Sequence, residues 1–177
     1  MEDLQILTSF FETDLGEASI DLGWSSCGRW LAVINADSGV MIYDAETNTE
    51  LDRWNSHEDA ALALAWHPRL PIFATSSQGG EARFWRVEDD LSISMISEVT
   101  FRSDKGNNWI ESIDWRPNGK QLAIAVGNSV KLCTIEAEIQ AEFFFPGGTV
   151  GAIAWHSAGS LLGIAGYGGV SIYNAAD

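Results

Sequence analysis

The sequence predicts an all-β chain in which one short antiparallel meander is repeated four times. Three observations carry this. Tryptophan recurs at Trp24, Trp66, Trp115 and Trp155, at steps of 42, 49 and 40 residues, each time closing a short apolar run. A turn and a second apolar run follow each one. A third run then closes on Tyr43, Trp85, Cys133 or Tyr173, which lie 19, 19, 18 and 18 residues after the tryptophan. A unit this small cannot bury its own faces, so repetition at a fixed period is what would give it a core.

The elements follow in order. Leu4–Phe11 alternates loosely and reads as a strand. The first unit runs over residues 20–54, with a turn at Ser25-Ser26-Cys27-Gly28 and an outer strand at Glu50–Trp54. The second spans 62–101, with its outer strand at Ile93–Phe101. A loop at Arg102–Trp109, longer than its equivalents, leads to the third unit at 110–145. Its first turn, Pro117-Asn118-Gly119, presets φ with proline and tolerates positive φ at Asn and Gly. Pro146-Gly147-Gly148 turns the chain into the fourth unit at 150–174. No segment carries a helical period, and 1–177 reads as one domain with no linker.

An apolar strand ending in an aromatic, a Pro-Asn-Gly-type turn, a Leu-Ala strand, a glycine turn and a strand closing on Tyr43-Asp44, Trp85-Arg86, Cys133-Thr134 or Tyr173-Asn174 together resemble the WD40 repeat. Ser56-His57 stands where that family has Gly-His. The resemblance covers nearly the whole chain and implies a β-propeller of four-stranded blades. It also implies that the N-terminal strand 4–11 belongs to a neighbouring or closing blade. Four blades are then a half-ring within a longer propeller, a ring completed by dimerisation, or a four-bladed ring. Only Tyr43-Asp44 keeps the family's Asp, and only one repeat keeps its His. The family's buried Asp-His-Ser-Trp network is therefore expected to be incomplete in every blade. Blade two comes nearest, with His57, Ser77 and Trp85, but Gln78 and Gly79 stand where the Asp should be.

Composition narrows the function classes. Lys and Arg number 10 against 25 Asp and Glu, a net charge of −15. That charge disfavours phosphate backbones and anionic membrane surfaces, and it favours basic partners. No apolar run reaches the ~18 residues of a membrane span. The acidic N-terminus is unlike a signal peptide, and Cys27 and Cys133 occupy unrelated repeat positions. These features point to a cytoplasmic protein with free thiols.

No zinc or calcium spacing occurs, and no nucleophile–base pair, so no cofactor or metal and no enzymatic activity are expected. His67 and His156, each following a repeat tryptophan, read as surface hairpin residues. His57 reads as structural. The glycine-rich run Gly163–Gly169 lies between two strands and reads as a turn.

By the resemblance, the loops entering the first strand and those joining the second and third strands share one face, where partners dock. That face would carry Trp109, Lys105 and Asn108 in the long loop, with Asp37, Gln78 and Tyr167 in the matching turns. Trp109 either packs on its own loop or anchors a partner. The expected function is a non-catalytic scaffold for a protein or peptide. The alternatives are a ligand-binding or enzymatic propeller with an acidic channel, and a half-propeller that completes another chain. A homodimer fits the repeat count.

Overall fold

The computed structural model describes residues 9–102 and 108–175. Among these residues fifteen strands form four antiparallel sheets, each a blade whose first strand is innermost. Blade one contains β1 (Ser19–Trp24), β2 (Trp30–Asn35), β3 (Gly39–Asp44) and β4 (Thr49–Asn55). Blade two contains β5 (Ala61–Trp66), β6 (Ile72–Ser77), β7 (Glu81–Val87) and β8 (Ile93–Thr100). Blade three contains β9 (Ser112–Trp115), β10 (Leu122–Val126), β11 (Ser129–Cys133) and β12 (Ile139–Phe144). Blade four has three strands among the described residues: β13 (Val150–Trp155), β14 (Leu161–Gly166) and β15 (Gly169–Asn174). Residues 4–8 of the expected leading strand lie outside the described residues, and Ser9–Phe11 carry no strand. Among the described residues no helix is long and apolar enough to cross a membrane.

The inner strands pack in sequence, β1 on β5, β5 on β9 and β9 on β13, with no comparable packing of β13 on β1. The four sheets are therefore an open arc of a propeller, and the closed four-bladed ring is not formed.

Each joint sets a face of small and aliphatic side chains against a face bearing larger ones. In the first, Ala32, Ile34, Val40 and Ile42 meet Leu64, Phe73 and Trp85. In the second, Ala63, Ala74, Ala82 and Phe84 meet Ile113, Trp115, Leu122 and Cys133. In the third, Ala123, Ala125, Val130 and Leu132 meet Ile153, Trp155, Leu162 and Ile164.

The repeat tryptophan reaches back one blade. The Trp66 indole N–H donates to Gly23 O at 2.8 Å, and that of Trp115 to Ala65 O at 3.2 Å. A Cβ on Gly23 would sit 3.2 Å from Leu64 and 3.3 Å from Trp66, a tight fit to which those side chains would have to yield. The third joint ties backbone N–H groups instead. Trp155 N donates to Asp114 Oδ2 at 2.7 Å and Ile153 N to Ser112 Oγ at 3.1 Å, while the Arg116 guanidinium lies 5.1 Å over the Trp155 ring.

The same tryptophan is thus buried or exposed according to whether a blade precedes it. Trp115 is 4% exposed and Trp24 is 50% exposed. Trp115→Ala is expected to cost roughly 3–5 kcal/mol, as truncation of large buried aromatics does. Trp24→Ala is expected to cost less than about half of that. Urea unfolding of the two variants, at protein concentrations dilute enough to keep each chain monomeric, checks the contrast, and equal losses would mean that Trp24 is core.

Candidate functional site

The loops entering each blade and the turns between second and third strands form one rim, and backbone hydrogen bonds hold it together. Ala36 N donates to Ala18 O at 2.9 Å, Gln78 N to Ala60 O at 2.9 Å, and Tyr167 N to Thr149 O at 3.0 Å. These bonds extend the first–second strand ladder by one rung, so each turn is fixed against the entry loop of its own blade.

Asp37 is exposed at the blade-one turn, where Asn35 Oδ1 accepts from Asp37 N at 3.1 Å and Gly39 N at 2.7 Å. Gln78 is half-buried at the blade-two turn. Asn108 rests on that same turn. A Cβ at Gly80, whose φ is +83°, would lie 2.8 Å from the Asn108 Cβ and 2.4 Å from Phe101 O, so glycine is required there on both counts. Trp109 follows and is 42% exposed, and the next residue, Ile110, is fully buried. Tyr167, 86% exposed, tips the blade-four turn and backs onto Gly147.

The structure thus brings Asn108 and Trp109 beside the Gln78 turn, with Asp37 and Tyr167 farther round the rim on the two terminal blades. Lys105 lies outside the described residues.

Carboxylates that sequence reasoning did not single out share this rim. Asp59 reaches from the entry loop of blade two over Gly79, whose Cβ would lie 2.5 Å from Asp59 Oδ2. Its carbonyl accepts from the Ser38 hydroxyl of blade one. Glu17, Asp37, Glu58 and Asp59 are all exposed here. A cleft of about 500 Å³ opens beside them, lined by Leu15, Glu17, Asn35, Asp37, Arg53 and Trp54. Arg53 ties the leading segment down by donating to Asp14 O at 2.7 Å and Thr13 Oγ1 at 3.0 Å, while it pairs with Glu50 at 2.8 Å.

One expectation about the histidines is corrected. His67 is buried, not a surface hairpin residue. Its Nδ1 accepts from Arg69 N and Leu70 N at 3.0 and 2.9 Å, which leaves Nε2 to carry the proton and donate to Gly119 O at 2.9 Å. The ring meets Trp115 edge-on at 4.7 Å, wedged between blades two and three. His156 is exposed, as expected.

The polar network of blade two is also complete, by different residues from those expected. Trp85 Nε1 donates to Thr75 Oγ1 at 2.9 Å, Thr75 Oγ1 lies 2.9 Å from His57 Nε2, and His57 Nδ1 lies 3.3 Å from Glu81 Oε2. Thr75 replaces Ser77, and the acid is the first residue of β7 rather than a turn residue. In blade one, the retained Asp44 is fully buried and holds Arg29 through both carboxylate oxygens, at 2.7–3.1 Å.

The thiols differ in environment. Burial pushes the Cys133 thiol up to about 12, while the hydrogen bond from Ser25 lowers that of exposed Cys27. Among the described residues no group of three His, Cys, Asp or Glu side chains could hold a metal ion.

Comparisons with known proteins agree with the architecture. The profile of the anaphase-promoting complex subunit 4 WD40 domain matches residues 5–69. Protein HIR1 of Cryptococcus neoformans is 28% identical over 104 residues, 59% of this chain and 12% of that protein. Human WD repeat and HMG-box DNA-binding protein 1 is 26% identical over 150 residues, 82% of this chain and 13% of that protein. Among solved structures, a chain of the mitotic checkpoint complex superposes with a TM-score of 0.76 at 23% identity, covering 94% of this chain and 51% of that one. The Cps50 (Swd1) β-propeller domain of Myceliophteria thermophila gives 0.73 at 20%, covering 93% and 54%. This chain therefore spans about an eighth of the curated relatives and about half of the propellers it matches.

Burial holds both His57 and His67 below the ordinary histidine value. Below about pH 6.5 the unfolded chain takes up protons that the folded chain refuses, so stability is lost as pH falls through that window. Melting temperatures are expected to drop between about pH 7.5 and 5.5, and the slope to flatten in His57→Gln and His67→Gln. Comparing the variants separates the histidines from Asp114, whose carboxyl burial pushes up. An unchanged slope in both would remove the histidines as its source.

Proposed function

We propose that this chain, an arc of four WD40-type propeller blades, is a protein-interaction module that engages its partner through the rim of entry loops and turns. The observation that carries this reading is the placement of two exposed aromatics, Trp109 and Tyr167, on a rim fixed by backbone hydrogen bonds. Loops held by a rigid scaffold are where binding concentrates, and Trp and Tyr supply large contact areas at low entropic cost. The carboxylates Glu17, Asp37, Glu58 and Asp59 favour a partner with basic residues beside an apolar anchor. Membership of relatives in assemblies such as the mitotic checkpoint complex supports a scaffold role.

The −15 charge supports leaving phosphate contact to other segments, including in assemblies that resemble the DNA-binding relative.

Selection of peptides from a display library on the full chain, followed by fluorescence anisotropy, tests this. Basic peptides with an aromatic or aliphatic anchor are expected to be enriched. Trp109→Ala and Tyr167→Ala are each expected to weaken the selected peptide by about tenfold or more, with melting temperature nearly unchanged. A large fall in melting temperature for Trp109→Ala would place that side chain in the core. Enrichment of acidic peptides, or tight binding of a labelled duplex DNA, would overturn the charge argument.

A further inference from the structure

The two ends of the arc are the unlike halves of the joint that the molecule already uses three times. The face of blade two that meets blade one carries Leu64, Trp66, Phe73 and Trp85. The register puts the equivalent blade-one residues, Leu22, Trp24, Leu31, Val33, Met41 and Tyr43, on the face turned away from blade two. No blade covers it: Leu22 is 59% and Trp24 50% exposed. At the other end, Ala152, Ala154, Gly163, Ala165, Val170 and Ile172 of blade four stand in register with the small-residue faces of the other blades. That face is bare too, with Val170 72% and Ile172 71% exposed. Ala154 precedes its tryptophan as Gly23 and Ala65 precede theirs, and those are the residues whose carbonyls accept the indole N–H. The inner strands of both faces carry no charged side chain; the Arg53–Glu50 pair, in register with Met41 and Tyr43, sits on the outer strand β4 at the edge of the blade-one face.

The ends also match in what each lacks. Blade four has no fourth strand among the described residues. Ahead of blade one, Phe11 packs 4.5 Å from Tyr43, as Trp54 of the outer strand β4 packs 5.2 Å from Trp85 in the first joint. Phe11 and Leu15 thus occupy the outermost place of a preceding blade, and they leave its three inner strands open over Leu22 and Trp24. Three strands are what blade four offers.

We propose that these two faces bind a second copy of this chain. Blade four of each copy seats on the Leu22–Trp24 face of the other, Trp24 donates to the Ala154 carbonyl, and two identical joints close a two-fold ring of eight blades. Coverage fits this closure: one copy spans 54% of the Cps50 β-propeller domain, so two copies supply a ring's worth of blades. A donor face and a different acceptor face on one molecule make a head-to-tail contact, which closes only if the rotation permits. Eight blades lie within the range of known propellers.

Light scattering after size exclusion tests the proposal on the full chain. The expected mass is twice the 19.3 kDa of one copy. Because each copy carries −15, raising salt from about 0.05 to 0.5 M should strengthen the dimer by screening. Trp24→Arg and Ala154→Arg change exposed residues at opposite ends. Each is expected to raise the dissociation constant at least about tenfold with an unchanged circular dichroism spectrum. An equimolar mixture of the two should regain dimer through the one joint that remains intact. A wild-type monomer would overturn the proposal and leave both faces to further blades of a longer polypeptide. So would a dimer indifferent to both substitutions, or open-ended masses above the dimer.

Discussion

The arc depends on one contact: a tryptophan at the end of each inner strand that lies against the small side chains of the blade before it. The ring gains burial only because that neighbour presents Gly23 or alanine rather than a larger residue. Where its N–H finds the preceding carbonyl, a polar group that would cost free energy if buried alone is satisfied in the same step. The third joint keeps the apolar complementarity and changes the polar solution, with Asp114, Ser112 and Arg116 replacing the indole-to-carbonyl bond. Shape is therefore the invariant of the joint, and hydrogen bonding its variable.

That joint also gives the chain a direction. Every blade has a face that reaches back and a face that receives, so an arc of any length has unlike ends. Sequence reasoning reads the tryptophan period directly, because strand, turn and strand are local: Pro117-Asn118-Gly119 names its own turn, and the 18–19 residue spacing names the third strand. It does not read which tryptophan is covered. Trp24 and Trp115 sit in the same local pattern, and only the presence or absence of a preceding blade separates their exposures.

The same distinction explains what was missed elsewhere. His67 follows a tryptophan and precedes a proline, which is a turn signal. Its burial comes from Gly119, 52 residues away, whose lack of a side chain leaves room for the imidazole. The blade-two network was sought at family positions, where Gln78 and Gly79 supply no acid. The fold instead delivers Glu81 from the start of β7, and Thr75, two residues before Ser77, turns inward to join His57 and Trp85. At the rim, the matching turn positions of Asp37, Gln78 and Tyr167 were what the family resemblance implied. The reach of Asp59 across Gly79 connects two loops of blade two and was not legible in the sequence.

Charge is distributed to match these two kinds of surface. Joint faces are desolvated on assembly, and an unpaired charge there would cost several kcal/mol. The inner strands of the end faces carry none, the Arg53–Glu50 pair being set out on β4, and the fully buried Asp44 is held by both donor nitrogens of an arginine fork. Exposed carboxylates instead crowd the rim and the outer strands, where water and salt screen them. Separating the two would make the proposed contacts selective by chemistry: an apolar blade face at the ends, and a basic, aromatic-bearing segment at the rim. Because the rim turns are bonded to the same strands that carry the joints, a blade completed at either end would also fix the terminal rim loops bearing Asp37 and Tyr167. The proposed assembly at the ends and the proposed recognition at the rim would thus share β1, β2, β13 and β14.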